Sequence, residues 1–154
     1  MSISIREAGD EERSCLRNLL ADYLGELSRY GDVELDYPYL EAYWSDNDRW
    51  PYVIDHHGDC AGFALINTWS PSGRGTDFAI AEFYVRPRFR KSGTGRTAFA
   101  ELLRKHPGIW ELSVMQRNTA AIDFWTRATA TANVQQIERI ALEDAMIYRF
   151  ATGP

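Results

Sequence analysis

The chain has 154 residues, 45% of them apolar and 25% charged, with a formal net charge of −5. That length and balance suit one soluble domain over residues 1–154 with a proper core, and no apolar run approaches the length of a membrane helix. The acidic balance argues against general nucleic-acid binding, and the opening MSISIREAGDEERS, with neither charged leader nor apolar core, is not expected to act as a signal peptide.

Ser2–Arg6 alternates polar and apolar through Ile3 and Ile5 and reads as a first strand. Gly9-Asp10 interrupts it, and Asp10 suits the N-cap of a helix whose first turn carries Glu11 and Glu12. Cys15, Leu16, Leu19, Leu20, Tyr23, Leu24 and Leu27 recur at three- and four-residue steps, the pattern of a long amphipathic helix lying on a sheet. A polar connection follows, and Tyr37–Trp44 reads as a short second helix with Pro38 at its first position. Trp50–Ile54 and Ala61–Asn67 flank His56-His57-Gly58-Asp59 as a hairpin. The adjacent histidines lack a third ligand at useful spacing, so they read as a solvated turn and no metal is expected. The two cysteines, Cys15 and Cys60, read as small buried thiols in a reducing, cytoplasmic setting. Trp69–Asp77, rich in Pro, Gly and Ser, is expected to be a mobile loop, a connector rather than a lid.

The stretch EFYVRPRFRKSGTGR, Glu82 to Arg96, is the chain's focus. Ile80, Phe83 and Val85 mark a strand, and Pro87, which cannot donate to a ladder, ends it. Arg90-Lys91-Ser92-Gly93-Thr94-Gly95 follows, and then a helix with Phe99, Leu102 and Leu103 on one face. Closely spaced glycines let successive N–H groups turn inward, and the next helix aims its positive end at the same spot. Arg86, Arg88, Arg90, Lys91 and Arg96 crowd the turn, with no acid between Glu82 and Glu101. This is a site for a polyphosphate.

His106-Pro107-Gly108 stops the helix and Ile109–Met115 forms the next strand. Asn118 opens another helix with Ala121, Ile122 and Trp125 inward. Asn133–Ile140 and Ala145–Phe150 read as a closing antiparallel hairpin.

At two places the sequence resembles the GNAT N-acetyltransferases. Arg90-x-x-Gly93-x-Gly95 matches the (Gln/Arg)-x-x-Gly-x-(Gly/Ala) signature that cradles the pyrophosphate of acetyl-coenzyme A. Asn118-x-x-Ala121-x-x-Phe124-Trp125 resembles the family's Asn-x-x-Ala-x-x-φ-Tyr helix. The resemblance implies the GNAT α/β fold, a mixed and mostly antiparallel central sheet with helices on both faces. It also implies transfer of an acetyl group from acetyl-CoA, the co-substrate, to a primary amine of a small molecule or peptide, in a ternary complex without metal. The arm of the co-substrate would then lie between the strands Phe78–Val85 and Ile109–Met115. Backbone groups of Phe83, Tyr84 and Val85 would pair with it, the turn from Arg90 through Lys91, Ser92, Gly93, Thr94 and Gly95 to Arg96 would hold its phosphates, and Asn118, Ala121 and Phe124 would close its other side.

Glu82 is the implied base, since a carboxylate on this strand takes the amine's proton in several branches of the family. Trp125 stands where the family has a tyrosine that protonates the leaving thiolate. An indole N–H is no practical acid, so Tyr84 or a water would supply that proton. The acceptor side falls to Tyr30–Asp48, where Asp32, Glu34, Asp36 and further acids interleave with Tyr37 and other aromatics and no Lys or Arg occurs. Such a segment is either a solvated acidic rim or a surface for a cationic amine. The alternative to catalysis is an acyl-CoA-binding regulatory or partner-binding module, for which Trp125 speaks. A homodimer stays open.

Overall fold

A computed structural model of the chain describes residues 2–153. Its centre is a seven-stranded sheet in the order β1-β2-β3-β4-β5-β7-β6. The strands are β1 (Ile3–Glu7), β2 (Trp50–His56), β3 (Asp59–Asn67), β4 (Phe78–Val85), β5 (Ile109–Met115), β6 (Gln135–Ala141) and β7 (Ala145–Ala151). Neighbours are antiparallel except β4 and β5, which run parallel. The helices are α1 (Arg13–Leu27), α2 (Ala42–Ser45), α3 (Thr94–Lys105) and α4 (Thr119–Thr131). They lie on both faces of the mixed, mostly antiparallel sheet, as the sequence led us to expect.

Alternation along the strands divides the core into two layers. Ile54, Ile66, Ile80, Trp110 and Phe150 pack with Phe99 and Leu102 of α3 and with Trp125 and Ala128 of α4. Val53, Phe63, Leu65 and Tyr84 pack on the other face with Leu16, Leu19, Leu20 and Leu24 of α1 and Tyr43 of α2. Each leucine-sized side chain buried this way contributes about 1.5–3 kcal/mol, so the leucine stripe is enough to seat α1 on the sheet. Among the described residues no helix is long and apolar enough to cross a membrane.

Several local expectations change. Asp10 does not cap the first helix. A 3₁₀ turn, Asp10–Glu12, precedes α1, and the Glu12 carboxylate reaches back to accept from the Gly9 N–H at 3.0 Å. The second helix is not Tyr37–Trp44. Pro38–Glu41 form turns, with Ala42 N–H donating to Tyr39 O and Tyr43 N–H to Leu40 O, and the helix proper starts at Ala42. Cys15 is exposed, because it lies at the edge of the stripe that Leu16, Leu19 and Leu20 bury. Cys60 is half-buried, and burial first, then its neighbour Cys15, pushes its thiol up to about 11; both cysteines are free.

His56 is the last residue of β2 rather than a turn residue, and its Nδ1 lies 3.0 Å from Thr94 Oγ1. The Trp69–Asp77 segment is tied down, contrary to the mobility its composition suggested. Ser70 Oγ, Ser72 N and Ser72 Oγ donate to the fully buried Glu111 carboxylate on β5 at 2.9, 3.0 and 2.7 Å. Arg149 of β7 pairs with Glu111 and donates to Gly75 O at 2.7 Å. Gly and Ser are poor strand formers, but here the serines supply the hydrogen bonds that a buried carboxylate requires.

Candidate active site

β4 and β5 pair only where Phe78, Ala79 and Ile80 meet Trp110, Glu111 and Leu112. Beyond that the strands separate. The cause lies on the other edge of β4, where Leu65 of β3 faces Glu82 and Ile66 faces Ile80, so that Ala81 has no partner. An extra residue of this kind bends the strand and increases its twist. It also shifts the alternation by one. Ile80 and Phe83, three apart, belong to the α3/α4 layer, while Ala81 and Tyr84 belong to the α1 layer and Glu82 turns to the tyrosines of that side.

The separated strands wall a cleft of about 510 Å³. Glu82 and Phe83 line it from β4, Ser113 and Met115 from β5, and Asn118, Ala121 and Trp125 from α4. Tyr23, Tyr30 and Asp32 rim it from α1 and the connection after it, and Asp144 rims it from the β6–β7 turn. Asn118 Oδ1 caps α4 by accepting from the Ala121 N–H at 3.2 Å, and its side-chain NH₂ makes no hydrogen bond among the described residues. Trp125 is buried in an aromatic nest, edge-on to Phe83 at 5.1 Å, Phe99 at 5.1 Å and Phe124 at 4.8 Å. Its position is fixed by packing and it brings no hydroxyl to the cleft.

The turn after β4 is built to show backbone. Lys91 and Gly93 take positive φ, 65° and 84°, and the first helical bond of α3 runs from Thr97 N–H to Gly93 O. The amides from Lys91 to Arg96 therefore find no acceptor among the described residues and stand at the positive end of α3. The hydroxyls turn inward. Ser92 Oγ donates to Phe89 O at 2.8 Å, and Thr94, fully buried, bridges Ser92 and His56. Gly95 is needed for close approach, since a Cβ there would come within 3.0 Å of the Phe124 ring. Arg90 is more constrained than its motif position suggested. Its Nε donates to Val85 O at 2.7 Å and its Nη2 to Glu26 of α1 at 2.9 Å, so its side chain braces the turn. Arg88, Lys91 and Arg96 are exposed and form no ion pair among the described residues. An anion at this turn would meet free N–H groups, a helix end and three cations.

Glu82 stands on the cleft wall with no cation beside it. Burial pushes its carboxyl up to about 6, against the pull of the Tyr23 and Tyr37 hydroxyls. Tyr37 Oη donates to Glu82 Oε2 at 3.0 Å. A carboxylate that titrates near neutrality in a cleft has the acid–base range a general base needs. Tyr84, named with it from the sequence, goes elsewhere. The same alternation that sends Phe83 toward the cleft sends Tyr84 to the α1 layer, where its hydroxyl donates to Glu26 Oε2 at 3.0 Å. Burial pushes that phenol up to about 12, and Glu26 adds to it. Its hydroxyl is thus not brought to the cleft to serve as an acid.

The profile of the acetyltransferase (GNAT) family matches residues 15–129. The chain belongs to the GNAT acetyltransferase family. As a member of it, the protein is an acetyltransferase by family and fold. No curated protein matches the sequence. A GNAT acetyltransferase from Streptococcus agalactiae is similar in structure, with TM-score 0.71 at 16% identity, over 99% of this chain and 96% of that one. The PaiA N-acetyltransferase of Thermoplasma acidophilum, solved in complex with coenzyme A, matches with TM-score 0.65 at 15% identity over 96% and 98% of the two chains. A ribosomal-protein-alanine N-acetyltransferase from Brucella melitensis matches with TM-score 0.64 at 19% identity over 97% and 99%. Within this GNAT fold, sequence reasoning missed Tyr23 and Asp144 as cleft residues, whereas Tyr30, at the start of the segment expected on the acceptor side, lines the cleft. Tyr23 was concealed in the apolar stripe of α1, and Asp144 sits in a hairpin turn with no local signal of its role. Of the acidic segment, Asp32 reaches the cleft and Tyr37 reaches Glu82, while Glu34 and Asp36 are exposed.

Proposed function

We propose that this chain transfers the acetyl group of acetyl-CoA to a primary amine of a small molecule or peptide, by direct attack in a ternary complex. One observation supports this above the rest: a proton-accepting carboxylate, Glu82, lies on the wall of a cleft near a turn of free amides. The co-substrate would supply an activated thioester. The amides of Lys91–Arg96, with Arg88, Lys91 and Arg96, would hold its phosphates. Backbone groups of Phe83, Tyr84 and Val85 and the side-chain amide of Asn118 would hold its arm, packed by Ala121, Phe124 and Trp125. Ser92 and Thr94 would act through their backbone, since their hydroxyls are engaged inside the turn. Glu82 would take the amine's proton. With Trp125 in place of a phenol, the leaving sulfur would take its proton from water.

Asp32, with Asp144 across the cleft, would favour a cationic amine, and Glu34 and Asp36 would add field at its edge. Two free thiols fit a reducing, cytoplasmic setting, with the whole of residues 1–154 acting as one domain, alone or as a homodimer. Thiol release from acetyl-CoA against a panel of amines (spermidine, an aminoglycoside and free peptide N-termini) tests the proposal. Amine-dependent release is expected. Binding of coenzyme A without any release would sink the transfer reading and leave the binding-module reading that Trp125 favours.

A further inference from the structure

Tyr37 lies outside α1 and outside the sheet, yet it reaches the carboxylate that β4 places on the cleft wall. Its hydroxyl donates to Glu82 Oε2 at 3.0 Å across a separation of 45 residues. The connection that carries it, between α1 and α2, also places Asp32 at the cleft rim. We infer that Tyr37 is a positioning residue, which holds the Glu82 carboxylate at the cleft wall in its proton-accepting form. The inference rests on the reading of Glu82 as the base.

The groups facing Glu82 come from every side of the cleft. Tyr37 donates to it, the Tyr23 hydroxyl of α1 also favours its charged form, and Tyr43 of α2 adjoins Tyr37. Asp32 and Asp144 share the cleft as further acids, and Ser113 and Asn118 on the β5 and α4 sides are neutral. None of these is a cation. Phenol donors are thus what favours the ionised carboxylate against the cost of burial. Tyr37 is suited to this, because burial first, and then Glu82 itself, raise its own phenol far above neutrality. It keeps its proton and remains a donor across the working range. A tyrosine on a mobile rim would contribute little. Here the ring of Tyr37 meets Tyr39 edge-on at 6.4 Å and packs against the α1 core layer, which fixes the direction of its O–H.

The test is a pH titration of the glutamate side-chain carboxyls by ¹³C NMR on the full chain, with Glu82→Gln identifying the signal. The wild-type midpoint is expected near 6. Tyr37→Phe keeps the ring and removes the donor, so the midpoint should rise by about one pH unit, the size expected for one hydrogen bond to a charged group. Tyr23→Phe should move it the same way, and serves as the second variant should Tyr37→Phe fold poorly. Tyr39→Phe, the adjacent exposed phenol, should leave it in place. The acid limb of kcat/KM, measured with the best amine of the panel above, should move with the midpoint. An unmoved midpoint in Tyr37→Phe overturns the inference. Full activity in Glu82→Gln overturns the base assignment instead, whatever Tyr37→Phe does to the midpoint.

Discussion

Two carboxylates, Glu82 on β4 and Glu111 on β5, are taken into the same sheet and treated in opposite ways. Glu111 is fully buried and receives a guanidinium from Arg149 and three hydrogen bonds from Ser70 and Ser72. Burial pushes its carboxyl up, but those partners more than offset the push and hold it below the ordinary range. Glu82 receives only phenols, and burial wins, raising it to about 6. The difference teaches that a buried acid is made inert by a built-in cation and reactive by the lack of one. Glu111 staples a loop to the sheet. Glu82 waits for a proton, and the positive charge it lacks is the one an amine acceptor would bring.

Removing each carboxylate's function should separate chemistry from stability. The largest effect belongs to Glu82→Gln, which keeps the shape but cannot accept a proton. It should lower kcat/KM by roughly 10²–10⁴. Acetyl-CoA affinity, read by calorimetry, should barely change, because the role lies in the chemical step. Loss of affinity to match the loss of rate would mean that Glu82 holds the co-substrate. Arg149→Met is the complementary change. It strands Glu111 without its cation and should cost about 3–5 kcal/mol of stability in urea unfolding. A mild loss would show that the serines alone satisfy Glu111.

Next comes the pH dependence, where the two acids have opposite signs. Glu82 is raised in the folded state, so its favourable contribution is complete below its unfolded value and is lost as pH climbs through about 6. Glu111 is lowered, so its contribution is present above its unfolded value and lost as pH falls through the folded one. Glu82→Gln should therefore stabilise the fold by about 1 kcal/mol at pH 8 relative to pH 5, the part of its displacement from 4.5 to about 6 that falls between those two values. An equal Tm change at both values would remove the burial account. The smallest effect concerns the missing cation. Neutralising Asp32, Glu34 and Asp36 together should raise KM for spermidine a few-fold at low salt and less at high salt, since exposed charges are screened. Unchanged KM would reduce that segment to a solvated rim.

Much of this was legible in the residues, and the rest was hidden for physical reasons. Gly93 and Gly95 amid basic residues between a strand and a helix announce an anion-binding turn, because few other residues can supply that backbone. The resemblance to the family singled out Glu82 but could not show why its carboxylate faces the cleft. That depends on the unpaired Ala81, and a bulge between small and polar residues leaves no mark on an alternation count. Arg90 looked like a ligand of the phosphates because motifs record residue type, while Val85 O and Glu26 decide where its side chain goes. The Trp69–Asp77 segment looked mobile because composition reports propensity, and its anchors, Glu111 and Arg149, lie 41 and 74 residues from the groups they hold. Long-range partners of that kind carry no local signature.

The short parallel ladder between β4 and β5 has a mechanical consequence. The sheet's two arms, β1–β4 and β5–β7, meet over Phe78–Ile80 and Trp110–Leu112 and then part, as two boards joined by one hinge. The serine–carboxylate–arginine cluster ties the β3–β4 segment to β5 and β7 beside that hinge, so it works as the pin. Leverage about a pinned hinge is smallest at the pin and largest at the free edge. A loosened pin would therefore be felt most at Phe83–Val85, well away from Arg149, as a change in how far the boards stand open. Backbone amide exchange in Arg149→Met should accordingly quicken most at that far edge of β4.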